Sequence, residues 1–188
     1  MGEFSHFQIH GVSILNNEIE LKKISHITTD AIGKPGKRVF YIQAWVDQRS
    51  ITLILEKIQI QTLAVGYEQF LEEVNRKYPN LSEASPDYDE EKMHINPPVD
   101  PLFRVGELGL GYDAKSDLVI LEAKELVTED ADTNKRRIVR YWLTRSQMHA
   151  MCVWGMDVAS RGRPICPQCG EPMDPEGHFC PKKNGHKH

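Results

Sequence analysis

Near the C-terminal end of the chain, Cys166-x2-Cys169-x8-His178-x-Cys180 places three thiols and an imidazole within fifteen residues. That segment is too short and too rich in Pro and Gly to build an apolar core of its own. Tetrahedral zinc takes four Cys or His ligands, and CPQCG offers two sulfurs from one tight turn, with a glycine that lets backbone amides approach them. The spacing therefore predicts Zn2+. His178 closes a compact set, while His186, six positions beyond Cys180, and His188 are within reach as alternative fourth ligands. Four protein ligands leave the ion no open position for water or substrate, so the predicted role is structural and no catalytic residue is assigned.

The remaining candidates are cationic. KRRIVR (Lys135 to Arg140), RGRP (161 to 164) and Lys182, Lys183 and Lys187 form a basic tail. Residues 1 to 134 carry 13 Lys/Arg against 23 Asp/Glu, and residues 135 to 188 carry 10 against 4, so a net charge of −4 divides into an acidic front and a basic end. Such an end suits an acidic protein surface or a phosphate backbone. Arg38, Arg104, Arg136, Arg137, Arg140, Arg161 and Arg163 are the candidate contacts to an anion or nucleic acid. Against nucleic acid, only Tyr141 and Trp142 accompany these charges, and on a strand one of the two must face the core. Cys152 falls on an apolar helical face and reads as a small buried hydrophobe. The histidines His6, His10, His26, His94 and His149 form no recognisable set. GELGLG (106 to 111) fits neither a P-loop nor a dinucleotide fingerprint and reads as a strand approached closely by another backbone or a large side chain.

The elements that must carry these residues follow from periodicity. Alternation in residues 24 to 55, with turns at GKPG and DQRS, predicts three strands. Ile60, Leu63, Tyr67, Phe70, Leu71, Val74 and Tyr78 then recur at helical spacing, and the helix must end near Pro79. Residues 80 to 101 are acidic, hold four prolines and predict an exposed connection. FRVGELGLGYD, LVILEAKELV and RRIVRYWLT predict three more strands, with turns at DAKSD and TEDADTNK. Thr144 and Gln147 make a capping box, Leu143 and Met148 a hydrophobic staple, and Met148, Met151, Cys152, Gly155 and Ala159 one face of a second helix that stops at Gly162. The expected fold is α+β: a duplicated strand-strand-strand-helix unit, its antiparallel sheet covered by two helices, with a small zinc-binding tail. The expected organisation is an extension at 1–23, an α+β domain at 24–162 with halves 24–79 and 102–162, and a tail at 163–188. No run of eighteen apolar residues exists for a membrane span, and the cytoplasm is the expected location.

The runs GKPGKRVFYIQA, LEKIQIQTLA, FRVGELGLGYD and LTRSQMHAM, followed by RGRPICPQCGEPMDPEGHFCPKKNG, resemble a bacterial family catalogued as a domain of unknown function, number 3090. The resemblance covers about residues 27 to 185. It implies that Cys166, Cys169, His178 and Cys180 are the intended quartet, because the histidine before Cys180 belongs to the family pattern and His186 and His188 do not. It implies no activity. The family's genes tend to lie beside those of a histidine-phosphatase-like and a lipid-kinase-like protein, which implies an accessory role in a phosphoryl-handling pathway. The N-terminal extension and the Lys content exceed the family's usual pattern, and the extension is expected to add a strand at the sheet edge.

Three functional expectations result: a non-enzymatic accessory or adaptor protein whose zinc tail presents a basic knob to a protein partner, a nucleic-acid-binding module using the same tail, and a small-molecule enzyme with Arg38, Arg104 and Arg140 in a cleft between the halves.

Overall fold

A computed structural model describes residues 7–9, 11–128, 135–174 and 176–183. Nine strands and two long helices follow in the order β1 (Phe7–Ile9), β2 (Val12–Leu15), β3 (Glu18–Leu21), β4 (His26–Ile32), β5 (Val39–Val46), β6 (Arg49–Leu55), α1 (Lys57–Lys77), β7 (Pro101–Asp113), β8 (Leu118–Glu125), β9 (Ile138–Leu143) and α2 (Arg145–Ser160). The fold is α+β. The spatial order of the strands is β1-β2-β3-β9-β8-β7-β6-β5-β4. The sheet is mixed rather than antiparallel, which corrects the expectation: β3 runs parallel to β9 and β6 parallel to β7. Alternation identifies strands but not their neighbours, and neither of these pairs is joined by a hairpin. β1 to β3 extend the sheet beyond β9, so the N-terminal extension adds three strands. The turn residues 129–134 and His6, His10, His186, Lys187 and His188 lie outside the described residues.

The alternation of β5 divides the sheet's faces. Phe40, Ile42, Ala44 and Val46 join the core with Leu53 and Leu55 of β6 and Ile60, Tyr67 and Leu71 of α1. α1 opens on a capping box between Glu56 and Gln59. α2 opens on the predicted box: Gln147 N donates to Thr144 Oγ1 at 3.1 Å, and Thr144 N donates to Gln147 Oε1 at 3.0 Å. The two flanking apolar residues, Leu143 and Met148, are fully buried. Met151, Cys152, Trp154, Gly155, Val158 and Ala159 continue the face, and burial pushes the Cys152 thiol up to about 12. Gly155 is where α2 comes closest to its neighbours, since a Cβ there would sit 2.6 Å from Thr29 Cγ2 of β4 and 2.9 Å from Ile60 Cγ2 of α1.

Residues 80–101 were expected to be an exposed connection, and they form a strap instead. Arg145 Nη1 donates to Ser82 O (2.8 Å), His149 Nδ1 to Ala84 O (3.0 Å) and Ser85 N to Ser146 Oγ (3.0 Å), which ties the strap to the start of α2. The rings of Tyr88 and His94 meet Trp154 at 5.6 and 5.3 Å. Past the β4 edge, Ile95 N donates to Asp30 Oδ2 (3.1 Å). The strap then reaches the sheet face away from the helices, where the fully buried Gln43 donates to Asn96 O (2.8 Å) and accepts from Asn96 N (3.0 Å). Ala84 and Met93 are buried. The acidic side chains stay exposed, Glu90 alone among the described ones reaching α2 through Arg161, and backbone and apolar groups make most of the contacts, which is why composition alone resembled a solvated linker.

Candidate metal centre

The cysteine tail leaves the body at Gly162 and turns on itself twice. Cys166 N donates to Glu171 O (2.8 Å) and Gly170 N to Cys166 O (2.9 Å), closing the CPQCG turn, and Gly170 takes a left-handed φ of 79°. An isolated antiparallel bridge joins Ile165 to Pro172, and Met173 N donates to Pro164 O at 2.7 Å. A second turn, with Gly177 N on Asp174 O at 2.8 Å, returns the chain to His178 and Cys180.

Four donor atoms converge here. One ligand atom each from Cys166, Cys169, His178 and Cys180 lies within 4.8 Å of all the others. The sulfurs of Cys166 and Cys180 are 3.9 Å apart, and Cys169 Sγ is 3.2 Å from His178 Nε2. A disulfide requires about 2.05 Å between sulfurs, and all four cysteines of the chain are free thiols. Two thiolates on one tetrahedral ion, each about 2.3 Å from it, stand about 3.8 Å apart, which is the spacing found. The amides of Cys169 and Gln168 donate to the Cys166 sulfur and bring its thiol down to about 6. Cys169 accepts from the Glu171 amide, yet burial and the neighbouring Cys166 and Cys180 hold its thiol above the ordinary value. A set that resists releasing all three thiol protons together is what a cation would neutralise. His178 Nδ1 is buried without a hydrogen-bond partner, while Nε2 of the same ring faces Cys169 Sγ. The donor set thus fits a metal ion, and with four protein ligands it leaves no open coordination position.

Arg163 anchors the tail to the body. Its guanidinium lies against Gly36 of the β4–β5 loop, where a Cβ would come within 3.1 Å of Nε, and it pairs with Asp174 at 2.9 Å. Lys34, Pro35, Lys37, Asp174 and Glu176 line a cleft of about 740 Å3 between that loop and the tail.

A family model described as "Protein of unknown function (DUF3090)" matches residues 19–180. The chain belongs to this family. The DUF3090 match begins at β3 and ends on Cys180, so it takes in the sheet from β3 onward, both helices and the whole donor set. β1 and β2 precede it. No curated protein and no solved structure matches the chain.

The predicted arginines are not gathered into one surface. Six carry carboxylate partners: Arg104 with Glu56; Arg136 with Glu107 (3.1 Å); Arg137 with Glu125; Arg140 with Glu18 (2.5 Å) and Glu122 (2.6 Å); Arg161 with Glu90 (2.8 Å) and Asp157 (2.5 Å); and Arg163 with Asp174. Across β3, β9, β8 and β7 the charges of Arg136, Arg137 and Arg140 thus form a ladder with Glu18, Glu122, Glu125 and Glu107. Arg140 sits in that ladder, away from Arg38 and Arg104, so the three do not share a cleft. Tyr141 is fully buried, while Trp142 points outward under Lys22 Nζ, 4.6 Å from the ring centroid. Gly106 meets the Leu126 backbone, since a Cβ there would sit 2.9 Å from Leu126 Cα. His94 and His149 serve the strap. Among the described residues, no helix is long and apolar enough to cross a membrane.

Sequence reasoning passed over Lys57, the first residue of α1, and used Gly162 only as a helix stop. A lysine opening an amphipathic helix carries no signal by itself.

Proposed function

We propose that this protein is a non-enzymatic accessory or adaptor protein: a rigid α+β body carrying a zinc-ribbon-like tail, with the loop of β4–β5 and the tail together offering a basic surface to an acidic protein partner. The donor chemistry favours zinc over harder cations, which prefer oxygen ligands, and a closed Cys3His set favours a structural ion. Free thiols favour the reducing cytoplasm. The strand-strand-strand-helix order that occurs twice is read as a repeated unit.

The observation that carries the reading is the distribution of unneutralised cations. Most of the predicted arginines are engaged in ion pairs, whereas Lys34 and Lys37 line the cleft beside the tail with no ion-pair partner among the described residues, and of the two carboxylates in the same lining Asp174 is held by Arg163. Surface charges left free beside a metal-fixed knob steer an oppositely charged partner without having to break an existing pair.

The test is affinity capture by the metal-loaded protein at low and at high salt, beside Lys34→Glu/Lys37→Glu. A discrete protein retained by the wild type, lost at high salt and lost from the double variant, is the expected result. Recovery of nucleic acid in its place, or of nothing that distinguishes wild type from variant, overturns the reading.

A further inference from the structure

A second feature of the same end of the molecule concerns three residues outside the metal set: Arg38, Lys57 and Gly162. Arg38 leads into β5, and Nη1 of its guanidinium donates to Val158 O of α2 at 2.9 Å while the group lies over the Phe40 ring, 5.1 Å from the centroid. This fixes the guanidinium and leaves Nη2 without a hydrogen-bond partner among the described residues. Nη2 and Lys57 Nζ each lie 3.5 Å from the point where a Cβ on Gly162 would be. The two cations therefore stand within twice that distance of each other, beside a point that a side chain at residue 162 would occupy and that lies 3.8 Å from Ala159 O.

Two like charges held this close repel each other unless an anion intervenes. The carboxylates nearest in sequence are committed elsewhere, Glu56 to Arg104 and Asp157 to Arg161. Among the described residues neither Arg38 nor Lys57 has an acidic partner. Gly162 is not there for its backbone: it is absent from the glycines with positive φ, and a Cβ would make only ordinary contacts. What glycine supplies is the space.

We infer that Arg38, Lys57 and the gap over Gly162 form a binding site for an oxyanion of the phosphate class. A guanidinium and an ammonium differ in the way such a site uses: the fixed fork orients the oxygens and the mobile point charge follows them. Arg163, the next residue, lines the cleft of about 740 Å3 between the β4–β5 loop and the tail, whose lining carries Asp174 and Glu176 as well as cations. Lys34 and Lys37 line that cleft. The inference stands on these three residues and does not depend on a protein partner.

The test is calorimetric titration of the metal-loaded protein with inorganic phosphate and, separately, with phenyl phosphate, at ionic strength held constant with sodium chloride. The variants are Gly162→Ala, which fills the gap with ordinary contacts, Lys57→Gln, which changes an exposed side chain, and Lys115→Gln in the β7–β8 turn as a charge control. Saturable binding is expected, weakened at least tenfold by Gly162→Ala and by Lys57→Gln and unchanged by Lys115→Gln. Tighter binding of phenyl phosphate assigns the ligand to phosphate esters, and equal binding assigns it to the free ion. Heat that does not saturate, or affinity that Gly162→Ala and Lys57→Gln leave untouched while both variants melt like the wild type, overturns the inference. The same two variants leave Lys34 and Lys37 in place, so a failure here is separable from a failure of partner capture.

Discussion

Replacing Cys180 by serine removes one of the four ligands, and the structure gives the consequence a size. Among the described residues from 163 to 183 the tail buries just two apolar side chains, Cys166 and Cys180, while Ile165 and Phe179 are 58% and 67% exposed. Fixing about twenty residues costs on the order of 20 kcal/mol of backbone entropy. Two buried sulfurs return about 2 kcal/mol, and the four backbone hydrogen bonds of the two turns and the bridge region return about 4 kcal/mol. The shortfall of about 14 kcal/mol falls within the ~10–16 kcal/mol that a structural zinc site supplies. The tail should therefore be ordered only with its ion. The body has a separate core of strand and helix side chains to which the tail contributes none. Metal content, limited proteolysis and a thermal melt form the assay. Cys180→Ser, or the wild type stripped by a chelator, should lose stoichiometric metal and become cleavable between residues 163 and 183. The melting temperature of the body should move by no more than about 2 °C, because the body's burial is unchanged. A tail that resists protease without metal, or a body that melts with the tail, would refute the reasoning.

Two other expectations concern the body. Gly155→Ala forces a methyl to within 3 Å of Thr29 and Ile60, both buried, and overpacking of this kind costs about 1–3 kcal/mol; at roughly 2–4 °C per kcal/mol for a chain of this size, a melt should come roughly 2 to 12 °C early. Arg145, only 5% exposed, holds Asp117 through Nε at 2.7 Å and Nη2 at 3.1 Å, and with Tyr112 it keeps that carboxyl below its ordinary value. A carboxyl depressed in the folded state adds stability above its unfolded value near 4 and loses it as the pH falls through the folded one. Asp117→Asn should therefore lower urea stability at pH 7 by about 1–2 kcal/mol, allowing for Asp117's partial exposure, and the deficit should shrink towards pH 3; a deficit independent of pH would contradict the assignment.

The strands β4 to β9, the two helices and the clustered cysteines were readable from the residues alone. Period-two runs marked β4 to β9, helical spacing marked α1 and α2, and the Thr144–Gln147 capping box forms as read, because each of these signals is set by a residue and its near neighbours. Cys166, Cys169 and Cys180 were legible for the same reason, since two short turns bring them together within fifteen residues, whereas the choice of His178 over His186 and His188 came from the family resemblance. Contacts between residues far apart in the chain were not readable in this way. Alternation could not reveal that β3 lies beside β9 or β6 beside β7, since an apolar face pairs as readily with one neighbour as with another. Nor could it show that the acidic residues 80–101 lie as a strap over Gln43 and Trp154. The basic runs misled for a related reason. Charge can be counted in a sequence, but its neutralisation is a cross-strand property, and Arg140 acquires Glu18 and Glu122 only when three strands align. Lys57 and Arg38, nineteen positions apart, become one site through the packing of α1 against the end of α2, where Gly162 leaves the space between them open.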